Sequence, residues 1–160
     1  MKLLPEFWQK HFLLIELVLS IVVAISFAVW IYHYDGAITV DAVLKGGRAS
    51  IYGTIASILG SLLGFTITAT SLVLGFSVSD KLTVLRESRE YPKLWRTFSS
   101  TIWALAFTTV VSLVCLLFDK ETEPTMWLLL LFVWALTFTL LRIARTIWAL
   151  EHIIELVTKR

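Results

Sequence analysis

Residues 51–78 read IYGTIASILGSLLGFTITATSLVLGFSV, 28 consecutive positions without an Asp, Glu, Lys or Arg. A helix needs about 20 apolar residues to cross a hydrocarbon core of roughly 30 Å, and this run exceeds that. As a helix it measures about 42 Å at 1.5 Å per residue, so it must tilt or protrude. Three further apolar blocks accompany it: about Phe12 to Tyr34, broken only by Glu16, about Phe98 to Phe118, and about Met126 to Leu141. The last is short, but Arg142 can lay its stem along a helix and place its guanidinium at the interface, which carries the span to about residue 144. Runs such as LLLLFVWAL do not alternate, which excludes barrel strands of about 10 residues. The chain reads as an all-α membrane protein, a single domain over residues 1–160 with four transmembrane helices packed as a bundle.

Composition agrees. Of 160 residues, 58% are hydrophobic and 16% charged, with a mean hydropathy of +0.81. A soluble domain carries about 45–50% apolar and about 25% charged residues. A soluble enzyme, a secreted disulfide scaffold and a disordered tail are thereby excluded. The single cysteine, Cys115, lies inside an apolar block and reads as a neutral, inert thiol. The N-terminal apolar run ends in Trp30-Ile31-Tyr32-His33-Tyr34 rather than in a small-residue cleavage site, so it is read as a retained helix rather than a signal peptide.

Lys and Arg set the orientation. With both termini on one side, that side holds 11 basic residues (Lys2, Lys10, Lys81, Arg86, Arg89, Lys93, Arg96, Arg142, Arg145, Lys159 and Arg160) against 3 on the other (Lys45, Arg48 and Lys120). The positive-inside rule therefore places both termini in the cytoplasm. Trp8, Trp95 and Trp148 then fall at the inner interface, and Trp30, Tyr32, Tyr34 and Trp127 at the outer one. Basic residues confined to membrane edges give no nucleic-acid surface. The outer segment from Asp35 to Ser50 has room for one short turn of helix before Gly46-Gly47 breaks it. Asp119 to Thr125 reads as a tight hairpin, with Pro124 in the first turn of the fourth helix. Ser79 to Thr97 is charged and helix-prone up to Pro92, so the second helix is expected to extend into the cytoplasm.

The 51–78 run also carries a pattern. Gly53, Ser57, Gly60, Gly64, Thr68, Ser71 and Gly75 recur at intervals of three or four and form one stripe of small residues, with Gly60 and Gly64 making a GxxxG. In lipid, close backbone approach supplies the contact that hydrophobicity cannot, so such stripes mark helix–helix seams. The seam is either a packing face inside the bundle or a pore-lining, subunit-contact face. In the second case Phe65, Thr68 and Ser71 form the constriction.

Glu16 lies about one turn inside the first span, where an ionisable residue needs a partner. Arg142 and Arg145 enter from the same side on the fourth helix, so Glu16 is expected to pair with one of them. Two arginines at the end of a span are too few for a voltage sensor. Past Arg142, the residues Ile143, Ile147, Leu150, Ile154 and Val157 continue a coiled-coil-like seam, so the fourth helix too is expected to extend into the cytoplasm. At the outer mouth, rings of Asp119, Glu121 and Glu123 would attract cations and rings of Lys45 and Arg48 would favour anions, or these are solvated loop charges.

Nothing in the sequence points to catalysis, a cofactor or a metal. His11, His33 and His152 are isolated, and no HExxH, CxxC, nucleophile elbow or phosphate loop occurs. The central stretch from Arg48-x3-Tyr52 through Gly60-Ser-Leu-Leu-Gly64-Phe-Thr-Ile-Thr to Leu82-x2-Leu85-Arg86-Glu-Ser and Trp95 resembles a group of uncharacterised small four-span bacterial inner-membrane proteins, over about residues 48–118. The resemblance implies a bacterial inner membrane and carries no residue roles. Compact four-span proteins also serve as membrane effectors of bacterial antiviral systems, which is an analogy of fold.

Three functions are expected, in this order. The first is a homo-oligomeric channel or pore in the lipid bilayer with the second helix near the axis, because one copy is too small to enclose a water-filled path. The second is a non-conducting adaptor whose cytoplasmic face, Asp80 to Arg96 with Arg145 to Arg160, docks a protein partner. The third is a small transporter, which would need a broken helix or paired ionisable groups at the midplane.

Overall fold

The computed structural model describes residues 3–76, 91–120 and 122–158. Five helices account for nearly all of them: α1 (Leu3–His33), α2 (Gly36–Leu44), α3 (Arg48–Phe76), α4 (Tyr91–Phe118) and α5 (Met126–Thr158). Four are long and apolar enough to cross a membrane, with spanning stretches Leu14–His33, Arg48–Leu72, Trp95–Phe118 and Met126–Trp148. The chain is thus an all-helical, multi-pass membrane protein. The segment expected to prolong the second helix into the cytoplasm falls mostly on residues 77–90, outside the described residues.

The helices form a row rather than a closed bundle. α3 packs on α4, α4 on α5, and α5 on α1, while no interface of comparable extent joins α1 to α3. α4 is consequently the most enclosed helix. Its seam with α5 follows a heptad: Thr101, Thr108 and Cys115 recur every seven residues opposite Thr146, Thr139 and Phe132. The Thr101 and Thr146 hydroxyls lie 2.7 Å apart, as do those of Thr108 and Thr139. Each hydroxyl has one proton, so one member of the Thr108–Thr139 pair donates to the other, and the member that accepts donates across the seam, Thr139 to the Ala104 carbonyl or Thr108 to that of Ala135. Hydroxyls that bond across a seam add about 0.6 kcal/mol each in lipid.

Two details differ from the sequence reading. The Asp35–Ser50 segment holds a helix of nine residues, α2, not a single turn. Val40 joins the core with Tyr52, Val111, Cys115, Leu129, Phe132 and Ala135, and that burial sustains a helix too short to persist alone. Gly36 lets α2 fold back against α1: a Cβ there would lie 2.8 Å from the Trp30 ring. Gly46, at φ +80°, makes the turn into α3. Pro124, in turn, lies outside the fourth helix. The Thr125 carbonyl accepts the first amides of α5, from Leu128 and Leu129, so Thr125 is the cap and Pro124 precedes it.

Candidate functional site

Three places concentrate polar or unusual residues: an ion cluster at each end of the long helices, and the open face of α3.

At the end that carries α2, Arg48 and Asp119 are both only 3% exposed. Arg48 Nη1 donates to Asp119 Oδ2 over 2.8 Å, and the Tyr52 hydroxyl donates to the same oxygen over 2.6 Å. The Thr125 amide donates to Asp119 Oδ1 over 2.7 Å. Arg48 Nη2 donates to Asp41 of α2. Arg48 and Tyr52 share a face because they are four apart on α3, and the edge of the Tyr52 ring meets Phe132 with centroids 4.9 Å apart. One guanidinium thus joins α2, α3 and the α4–α5 loop. The expected rings of Asp119 and of Arg48 are therefore corrected: these charges neutralise one another inside the protomer, because neither can stay unpaired so deeply buried. Lys45, Lys120 and Glu123 are exposed, and Glu121 lies outside the described residues. No rule of sequence reading singles out this cluster, since Arg48 and Asp119 sit at span edges, where a charge can equally be solvated.

At the opposite end, Glu16 stands between two arginines. Arg145 Nε donates to Glu16 Oε1, and Arg142 Nε lies 3.3 Å from Glu16 Oε2. Glu16 thus meets both Arg142 and Arg145. Arg142 also donates to Ser100 over 3.2 Å and lies 4.8 Å over the Phe138 ring. This cluster ties α1, α4 and α5 together. Among the described residues no group of three or more His, Cys, Asp or Glu side chains could hold a metal ion.

The small-residue stripe faces neither cluster. α3 buries Tyr52, Ala56, Leu59 and Thr70 against its own protomer. At 3.6 residues per turn the stripe lies about a third of a turn round from that line. Ser57, Gly64, Thr68 and Ser71 are exposed, and Gly53 and Gly60 are half-buried. A Cβ built at Gly53, Gly60 or Gly64 would meet nothing within 4 Å. Among the described residues the stripe is thus not a seam within one copy. Phe65 projects beside it, 74% exposed. The Ser61, Thr66, Thr68 and Ser71 hydroxyls each donate to the carbonyl four residues back, so none needs water or a partner as acceptor. The surroundings of Gly75 lie outside the described side chains.

Comparisons with protein-family models, curated proteins and solved structures find no match.

Proposed function

We propose that the protein forms a homo-oligomeric membrane pore in which the α3 faces of neighbouring copies meet around the axis. The observation that carries this reading is the open space beside Gly53, Gly60 and Gly64 on a helix that packs on one side only. A helix surface made of Gly, Ser and Thr gains little from lipid tails, which branched aliphatic side chains contact better. It gains most from another backbone brought close. Repeating that contact by rotation closes a ring, and one protomer, being an open row, has no lumen of its own. Thr68 and Ser71 then line the narrow zone with Phe65 at its edge, their hydroxyl lone pairs available to a passing ion or water.

The membrane is a bacterial inner membrane, supported by the resemblance over residues 48–118, with both termini in the cytoplasm, supported by the distribution of Lys and Arg. In that orientation the Glu16 cluster lies at the inner interface and the Arg48 cluster at the outer one. The cytoplasmic end of α5 extends beyond the bilayer. Flux through proteoliposomes tests the function: wild type conducts, and Gly64→Leu, which fills the seam, abolishes conduction. Undiminished flux from Gly64→Leu removes α3 from the axis.

A further inference from the structure

The two carboxylates that share Arg48 are not equivalent. Asp119 is sealed in and also accepts hydrogen bonds from Tyr52 and Thr125. Asp41 is 43% exposed and meets Arg48 at the edge of a cavity of about 400 Å³ lined by Asp41, Ala42, Lys45, Arg48 and Pro124. Asp119 is a permanent partner, and Asp41 is one that another anion can replace. The cavity brings a nine-tenths-buried guanidinium and an exposed ammonium to one opening, the pairing that suits a phosphate group.

Its depth indicates where such a phosphate comes from. The cavity residues sit just where two spanning stretches begin, at Arg48 and at Met126, which is headgroup level. Aromatic side chains mark the same level, Tyr32 and Trp127 meeting with centroids 6.3 Å apart. On α2 itself, Ile38 and Val43 are exposed apolar side chains, suited to resting among lipids.

We propose that Arg48 and Lys45 bind the phosphate of an anionic phospholipid headgroup, and that Asp41 holds that position on Arg48 until the lipid displaces it. This rests on the membrane-spanning fold and not on the pore reading. Displacement leaves Asp41 without its cation and removes the only ion pair between α2 and α3. α2 is then held by Val40 and Leu44 against the core and by its turn against Trp30, with Gly46 as the pivot. The lipid thereby loosens α2.

The full-length chain in phosphatidylcholine nanodiscs, with or without phosphatidylglycerol, tests the proposal by amide exchange of residues 38–45 and by native mass spectrometry of retained lipid. Phosphatidylglycerol should speed exchange in wild-type α2 several-fold. Asp41→Asn, which removes the competing carboxylate, should exchange fast in either lipid and retain phosphatidylglycerol about tenfold more tightly. Lys45→Gln should retain it less than wild type and carries the test if Asp41→Asn does not fold. Equal retention by wild type and both variants, or α2 exchange indifferent to lipid, overturns the proposal. Inorganic phosphate that speeds wild-type α2 exchange in phosphatidylcholine alone as much as phosphatidylglycerol does assigns the site to a soluble phosphate and overturns the lipid assignment.

Discussion

α1 and α3 stand at the two ends of the row, and each leaves most of its surface outside it: in both, 17% of the spanning stretch is buried. What they expose is different. α1 turns out Leu14, Val18, Leu19, Val22, Ile25 and Val29, a surface of long and branched aliphatic chains suited to lipid tails. α3 turns out Ser57, Ser61, Gly64, Thr68 and Ser71, and among the described residues no other element comes within 4 Å of a Cβ added at Gly53, Gly60 or Gly64. Equal exposure therefore has two meanings. In a membrane, lack of cover is satisfied by lipid when side chains are bulky, and by a second helix when they are small. α3 also exposes Ile58, Leu62 and Ile67, so the contact proposed for it with neighbouring copies would be a seam and not its whole outer surface.

Four tests sharpen or break this contrast. The largest effect falls on the attachment of α1. Glu16→Ala leaves Arg142 and Arg145 without their carboxylate and should cost about 3–5 kcal/mol, read as loss of thermal stability in detergent. Retained stability would show that aliphatic packing alone holds α1 to α5. Next comes a charge on each outer face. Ile25→Lys, near the middle of the α1 span, should cost about 2.5–3.5 kcal/mol of insertion, measured by glycosylation mapping. Ser61→Lys should insert better than Ile25→Lys if α3 borders water or protein, and equal penalties would place both faces in lipid. Third, Gly64→Leu should weaken self-association at least tenfold, equivalent to about 1.4 kcal/mol, whereas Val22→Leu on α1 should leave it unchanged in the same energy-transfer assay. The smallest effect belongs to the inner seam. A double-mutant cycle of Thr108→Val and Thr139→Val should give a coupling near 0.6 kcal/mol, and zero coupling would leave the hydroxyl pair without energetic weight.

Much of the architecture is legible in the amino-acid order because membrane solvation is a local constraint: every backbone group must be satisfied within its own segment. Four long apolar runs therefore translate directly into four long helices. The order in which they pack does not, since α3 neighbouring α4 and α5 neighbouring α1 depend on side chains far apart in sequence. The Glu16 expectation rested on one rule, that a carboxylate inside a span needs a cation, with Arg142 and Arg145 the candidates at the same depth. The Arg48–Asp119 pair escaped that rule because both residues sit at span edges, where a charge can equally be solvated. Only the folding of α2 over the α3 start reveals that water is excluded there. The Gly53–Gly64 stripe was visible as spacing, but its direction required knowing that Tyr52, Ala56 and Leu59 face the protomer.

Subunit number in nanodiscs, by native mass spectrometry of the wild type beside Gly64→Leu, addresses the central claim most directly. The account predicts a defined assembly of three or more copies for the wild type and its loss in Gly64→Leu. A monomeric wild type, or an assembly untouched by leucine at Gly64, would contradict it.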